Sequence, residues 1–310
     1  MTWKSALSLI FFIIVIFLLV FYWIIPFEKI DFGTSEPNYN FSINDSGQNS
    51  EGYVPQFYPN MRFPEKEISY SINDCPVSKE NDMETAFGIV SNLTILSFYP
   101  SDGDGSPQII VTCDSKTRIE GGLFIAGEGG PENVIRTSNF NVISSGKILL
   151  LRDSVCPQPN VGIHELLHVL GFNHSSNPEN IMYPYSSCDQ EIGEDIINTI
   201  SLLYSFPSYP DLSVENASAV MNGKYLDANI TLENSGLIDS ESSALNIYAD
   251  GEIVKKINVN ELKVGYGREI SLKNIFVLQL DVKEIRFEID YPYNELGKTN
   301  NAVALKVTND

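Results

Sequence analysis

The chain has 310 residues, which is too many for one compact domain and suits two domains with additional segments. A hydrophobic content of 43% with 11% aromatic residues excludes a wholly disordered chain, and 21 glycines with 16 prolines exclude a collagen-like one. Forty acidic residues against 20 basic ones give a formal net charge of −20, which repels phosphate backbones and argues against nucleic-acid partners.

The N-terminal region carries a long apolar stretch. Residues 6–27 contain no charged side chain, and a helix of this length would span the ~30 Å hydrocarbon core of a bilayer. Lys4 is the only charged residue before the stretch, so residues 1–5 are predicted to be a cytoplasmic stub, with the rest of the chain extracellular. The alternative is a cleaved signal peptide and a secreted protein. The length of the stretch favours an uncleaved, single-pass anchor in the cell membrane.

Two folded regions are predicted beyond this anchor. Residues 28–61 are rich in Asn, Ser, Pro and Gly, which predicts an extended extracellular linker. Globular patterning follows over residues 62–205. The elements predicted there are strands at 68–72, 108–112 and 147–152, a helix capped by Ser78, and a turn-rich loop at 127–131.

The C-terminal region, residues 209–308, has a different pattern. Apolar and polar residues alternate strictly from Leu226 to Glu233, and Asp250-Gly251 has the composition of a hairpin turn. Further short alternating stretches follow and no helical period occurs, so we predict an antiparallel β-sandwich.

All four cysteines lie in the first region, which indicates two disulfides in an exported domain. Three pairings are conceivable, and we favour Cys75–Cys113 with Cys156–Cys188. A metal site built from cysteines is the alternative, but the chain has no Cys-x-x-Cys pair to support it.

The three histidines of the chain fall within eleven residues. On a helix, His164 and His168 are four positions apart and face the same way, so both imidazoles can bind one metal ion. Glu165 is offset around the helix, where it would reach a metal-bound water. Gly171 permits the turn that ends the helix and brings His174 back as a third ligand. Three ligands leave a fourth position open, as in catalytic zinc sites.

This stretch resembles a known family. His-Glu-x-x-His-x-x-Gly-x-x-His resembles the zinc signature of the metzincin peptidases, and the following Ser-Ser-Asn-Pro-Glu-Asn-Ile-Met-Tyr-Pro is similar to the matrixin branch. The resemblance implies an α+β peptidase domain with a twisted mixed sheet and long helices. It also implies that Met182 forms the methionine turn beneath the zinc. It covers residues 62–205 and is specific from residue 160 onward.

The sequence departs from the animal matrixins in three ways. No histidine remains for their second, structural zinc, and no cysteine precedes Cys75 to act as their latency switch. Pro184-Tyr185 is one residue shorter than their Pro-x-Tyr, which bears on the shape of the S1′ pocket. Residues 209–308 are similar to the cell-adhesion-related, immunoglobulin-like domains of prokaryotic surface proteins, which implies a surface partner.

We therefore expect a zinc endopeptidase of the cell surface that acts on protein or peptide substrates, with Glu165 as general base. One alternative is an adhesion protein with a structural zinc site, and another is a zinc hydrolase of a non-peptide substrate. Whether calcium also binds is left open, because Asp102 and Asp104 could act as ligands or lie in a solvated turn.

Overall fold

The structure is a computed structural model. It describes residues 3–24, 29–35, 53–101, 105–116, 118–120, 123–152, 156–279 and 281–307. In chain order the elements are α1 (Trp3–Ile24), β1 (Lys29–Ser35), β2 (Met61–Arg62), β3 (Glu67–Asn73), α2 (Val77–Leu93), β4 (Ser97–Pro100), β5 (Ile109–Cys113), β6 (Ile119–Glu120), β7 (Leu123–Phe124), β8 (Gly127–Arg136), β9 (Asn141–Leu150), α3 (Asn160–Val169), α4 (Glu194–Leu203), β10 (Leu212–Asn222), β11 (Tyr225–Asn234), β12 (Ser243–Ala249), β13 (Glu252–Val259), β14 (Gly267–Phe276), β15 (Glu284–Asp290) and β16 (Ala302–Lys306).

The first domain is built on a mixed six-stranded sheet. Five strands run parallel in the order β2, β9, β5, β3, β4, and β8 pairs antiparallel with β9. Helix α2 buries its apolar stripe, as its spacing predicted, although Pro76 rather than Ser78 occupies the N-cap position. The mixed α/β architecture expected for this region is confirmed.

Strand β8 corrects one prediction. We expected a turn-rich loop at residues 127–131, but these residues begin a ten-residue strand. Pro131 is tolerated because β8 lies at the edge of the sheet, where a missing backbone N–H removes no ladder hydrogen bond from the interior. The sequence pattern does not predict this strand, because its glycines and proline give no alternation of apolar and polar residues.

Both favoured disulfides are present. Cys75 is bonded to Cys113 and Cys156 to Cys188, and the described part of the chain has no free cysteine. The first bond joins the segment before α2 to the end of β5. The second joins the loop before α3 to the segment before α4, so it brackets the histidine motif.

The predicted linker, residues 28–61, divides into three parts. Residues 53–61 pack on the first domain: the Val54 N–H donates to Asp195 Oδ2 at 2.7 Å, and Val54 is 1% exposed. The domain therefore begins before residue 62. Residues 36–52 lie outside the described residues. Residues 29–35 form β1, which belongs to the second domain.

The second domain is an antiparallel sandwich of two four-stranded sheets, in the orders β1-β10-β11-β14 and β13-β12-β15-β16. The predicted alternation holds, because Leu226, Ala228, Ile230 and Leu232 are all buried in the sandwich core. Strand β1 adds an edge strand from the other end of the chain, with Phe32 2% exposed in the same core. The first domain is thus inserted between the first two strands of the sandwich.

Helix α1 contains most of the apolar stretch that we predicted to be an anchor. Among the described residues, no helix meets the length and hydropathy needed to cross a membrane. Residues 25–28, at the end of the stretch, lie outside the described part of the chain.

The insertion topology predicts that β1 stabilises the sandwich. Replacing Phe32 by Ala removes a buried aromatic side chain, which typically costs about 3–5 kcal/mol. We expect urea unfolding of the full chain to show such a loss in the sandwich transition. Lys29→Ala, on the same strand but at an exposed position, is the control and should change stability by less than about 0.5 kcal/mol. Equal stability of both variants would contradict the pairing of β1 with the sandwich.

Candidate metal centre

Helix α3 carries two of the predicted ligands and is buried along nearly its whole length. His164, Glu165 and His168 are 8%, 6% and 7% exposed. The helix ends at Val169, and Gly171, just beyond the C-cap Leu170, has a φ of +96°, the left-handed conformation expected of this glycine. The chain then turns back, and the Asn173 N–H donates to the Pro55 carbonyl at 2.8 Å.

The three predicted histidine ligands come together. One ligand nitrogen from each of His164, His168 and His174 lies within 4.8 Å of the other two. The Nε2 atoms of His168 and His174 are 3.2 Å apart. Three imidazole nitrogens at this spacing can bind a single ion, and His174 is the exposed member of the set.

Main-chain carbonyls orient the two buried imidazoles. His164 Nδ1 lies 2.7 Å from the Ile181 oxygen, and His168 Nδ1 lies 2.8 Å from the Phe172 oxygen. Because a carbonyl oxygen only accepts hydrogen bonds, each Nδ1 must carry the proton and donate it. Each Nε2 is then left with a lone pair directed at the metal position. Sequence analysis missed both carbonyls, since backbone partners have no side-chain signature.

Met182 lies in the turn that supplies one of these carbonyls. The Tyr183 N–H donates to the Asn180 oxygen at 2.9 Å, which closes a turn around Ile181 and Met182. Met182 is fully buried and its own N–H donates to Asn180 Oδ1. Residues 180–183 therefore form a turn around Met182, and the Ile181 carbonyl in this turn orients the His164 imidazole.

Burial keeps the imidazoles neutral. It lowers the pKa of His168 to about 4, with a further contribution from His164, and it also lowers the pKa values of His164 and His174. Neutral imidazole is the form that coordinates metal ions. The donor set consists of three neutral imidazole nitrogens, and the outer nitrogens of His164 and His168 are hydrogen-bonded, so the set fits zinc.

The pKa of Glu165 is shifted in the opposite direction. Burial, together with a smaller effect of the nearby Glu128 carboxylate, raises the pKa of its carboxyl group to about 8, although the Gly129 N–H acts in the other direction. Strand β8 approaches α3 so closely that a Cβ on Gly129 would lie 2.4 Å from the Glu165 carbonyl oxygen. Only glycine fits at this position.

An open cleft of about 700 Å³ surrounds these side chains. Residues 125–129 form one wall, and Pro184, Tyr185 and Ser186 line the cleft as well. The shortened Pro184-Tyr185 sequence thus borders the site. Phe57, in the segment predicted to be linker, stacks on His168 with ring centroids 5.6 Å apart. Nothing in the sequence pattern links Phe57 to the histidines.

The other candidate ligands do not join this centre. The four cysteines are bonded in pairs, which removes the alternative of a cysteine metal site. Asp102 and Asp104, the calcium candidates, lie outside the described residues.

Two family models match parts of the chain. Residues 152–205 match the family model described as Matrixin, and residues 209–308 match the CARDB model. Among solved structures, a CARDB domain from Pyrococcus furiosus, determined in complex with di-metal ions, is 20% identical. The match covers 32% of this chain and 88% of that one, with a TM-score of 0.27. A cell-surface protein domain from Methanosarcina acetivorans is also 20% identical. Here the match covers 32% of this chain and 90% of that domain, with a TM-score of 0.26.

The raised pKa of Glu165 predicts a pH-dependent stability in the metal-free protein. Above pH 4.5 the unfolded state releases this proton, whereas the folded state keeps it up to about pH 8, so the native state loses stability as the pH rises through that window. Glu165→Gln should therefore stabilise the chelator-treated protein at pH 7 by up to roughly 3 kcal/mol and leave it unchanged at pH 4. Urea unfolding at both pH values measures this. Glu179→Gln is the exposed control, and equal stability of Glu165→Gln and wild type at pH 7 would contradict the burial effect.

The ligand geometry predicts that His174 is needed for tight metal binding but not for folding. Even changes outside the ligand set cost 10–100-fold in metal affinity, so His174→Ala should weaken zinc binding by more than about 100-fold. Because His174 is exposed, the melting temperature of the metal-free variant should match that of the metal-free wild type. Competition with a chromogenic chelator measures the affinity. Wild-type zinc affinity in the variant would show that the third ligand lies elsewhere.

Proposed function

We propose that this chain is a zinc-dependent endopeptidase that acts at the cell surface. The observation that carries the proposal is the convergence of three neutral imidazoles beside the Glu165 carboxyl group, in a cleft open to solvent. When bound, zinc supplies a Lewis acid and lowers the pKa of a coordinated water to about 7. His164, His168 and His174 would hold the ion.

Glu165 is the general base in this proposal. Glu165 follows His164 in sequence but is rotated around α3 relative to both histidines. It lines the same cleft as they do. A dication nearby favours the ionised carboxylate and so offsets the effect of burial on its pKa. The carboxylate would take a proton from the attacking water and return it to the leaving amine.

Strand β8 supports a peptide substrate over a small non-peptide one. Among the described strands it pairs only with β9, so its outer edge is free to accept an extended chain by β-augmentation. Residues 127–129 of this strand line the cleft, which would place a paired backbone across the metal position. Pro184 and Tyr185 would border the side-chain pocket next to the scissile bond.

A structural zinc site in an adhesion protein is the main alternative, and the CARDB match gives it some support. Structural zinc sites fill four positions with protein ligands. Among the described residues, the metal-binding group consists of three histidines only and opens into a cleft. The open position favours catalysis, and the second domain would then serve to place the peptidase at a surface.

An extracellular location is proposed on chemical grounds. Two disulfides in the first domain require an oxidising compartment to form and persist. A surface location agrees with the CARDB match. The single-pass anchor with a cytoplasmic N-terminus stays a prediction from the sequence.

The deciding experiment is proteolysis. The full chain with one equivalent of zinc, incubated with a denatured protein mixture, should generate new termini that mass spectrometry identifies. Glu165→Gln should reduce turnover by at least ~10²-fold, the scale of general-base catalysis, while it retains one zinc per chain. Glu179→Gln, at an exposed position outside the cleft lining, is the matched control and should cleave at a rate similar to the wild type. Wild-type turnover by Glu165→Gln would refute the mechanism, and absence of cleavage by the wild type would refute the function.

A further inference from the structure

Strand β8 connects the candidate active site to the second domain. At its start, the Gly129 N–H hydrogen-bonds to the Glu165 carboxyl group, and Gly127 and Gly129 pack against that residue. At its end, β8 turns into β9 through residues 137–140. A displacement of this hairpin tip would therefore be transmitted along one strand to the general base.

The hairpin tip is bound by the sandwich. Asn139 Nδ2 donates to Asp211 Oδ2 at 2.5 Å, and both residues are buried. Thr137 Oγ1 lies 3.0 Å from the Ser235 carbonyl oxygen, to which it can donate. These two hydrogen bonds join the hairpin to the segments before β10 and after β11, so they hold it to the core of the second domain.

Apolar side chains fill the rest of the junction. Phe140 and Val142 from the hairpin form a buried cluster with Leu237 and Val264 from the sandwich, and Ile135 packs against it. Phe140 and Leu237 are each 1% exposed. A buried apolar contact of this kind resists relative motion of the two surfaces.

Gly265 shows how tightly the surfaces meet. A Cβ at this position would lie 2.6 Å from Ile135 Cγ2 and 3.3 Å from the Arg136 carbonyl oxygen. Gly251, in the β12–β13 turn, also has a positive φ, but a Cβ there would meet nothing within 4 Å. The two glycines therefore differ in their contact with β8 and share the same kind of backbone conformation.

Pairing with β9 alone holds β8 only weakly, so the contact of the hairpin tip with the sandwich adds a second support. Within the described sheet β8 has one hydrogen-bonded neighbour, and its register with β9 shifts twice, between Pro131 and Asn133 and between Asn133 and Val134. Irregular pairing fixes a strand less firmly than continuous pairing. The hairpin tip supplies a fixed point beyond these irregularities.

We propose that the sandwich domain is a positioning element of the active site: by holding the β8–β9 hairpin tip, it sets the place of the cleft edge to which substrate pairs. The proposal rests on the proposed peptidase function for its kinetic consequence. The mechanical coupling of the junction to β8 is independent of that function.

The test compares Gly265→Ala with Gly251→Ala in the full chain. Both substitutions strain a backbone with positive φ, but only the first pushes on Ile135 and Arg136. Hydrogen exchange of the 127–136 segment, followed by mass spectrometry, should be at least ~10-fold faster in Gly265→Ala than in Gly251→Ala. With a peptide substrate, kcat/KM should fall several-fold in Gly265→Ala, chiefly through a higher KM, because pairing to the edge contributes to binding.

Asn139→Ala provides a second route, because it deletes the hydrogen bond to Asp211 without backbone strain. It should also speed exchange in β8 and raise KM, while zinc affinity stays at the wild-type value. Equal β8 exchange in Gly265→Ala and Gly251→Ala, or faster exchange with an unchanged KM, would overturn the proposal. If the wild type cleaves no peptide, the proposed function fails, and the exchange comparison still decides whether the sandwich holds β8.

Discussion

The burial of helix α3 is the constraint on which the rest of the first domain depends. Nine of its ten residues are buried, so two imidazoles and a carboxyl group are largely removed from solvent and need protein partners. The partners that satisfy the imidazoles come from the chain that follows: the Phe172 carbonyl just after the helix and the Ile181 carbonyl in the methionine turn. The orientation of His164 and His168 therefore depends on the folding of the segments that contain Phe172 and Ile181. The Cys156–Cys188 disulfide ties the two ends of that region together.

The same burial sets the electrostatics of the site. It lowers the pKa of the imidazoles, which suits metal binding, and raises the pKa of Glu165, which makes the metal-free centre a source of instability at neutral pH. A bound dication would relieve this cost by favouring the ionised carboxylate. A metal ion bound at this centre would therefore be linked to the stability of this domain, as in other proteins whose ligands are preorganised only in the folded state.

The topology makes the two domains less separate than their order along the chain suggests. Strand β1 precedes the first domain yet pairs with β10, which follows it. The first domain is thus enclosed by two covalent connections and by the contact around Phe140 and Leu237. A module that resembles an adhesion domain is packed against the strand that borders the cleft. Its contribution to the molecule includes the shape of the site as well as any surface partner.

The sequence by itself determined the parts that depend on local periodicity and on reactive side chains. Helical spacing predicted that His164, Glu165 and His168 share one helix, and they lie on α3. Gly171 marked the turn after which His174 approaches the other two histidines, and strict alternation identified buried residues of the sandwich. Only the tertiary structure decided that residues 127–131 form an edge strand and that β1 belongs to the sandwich. In β8, glycine and proline give no periodic apolar signal, and pairing with β9 defines the strand. In β1, only Ile30 and Phe32 alternate with polar residues, and the strand pairs with β10, which lies far along the chain. The ligand-orienting carbonyls and the Asn139–Asp211 contact were hidden for a related reason: they are set by where the backbone passes after folding, which residue identity does not encode locally.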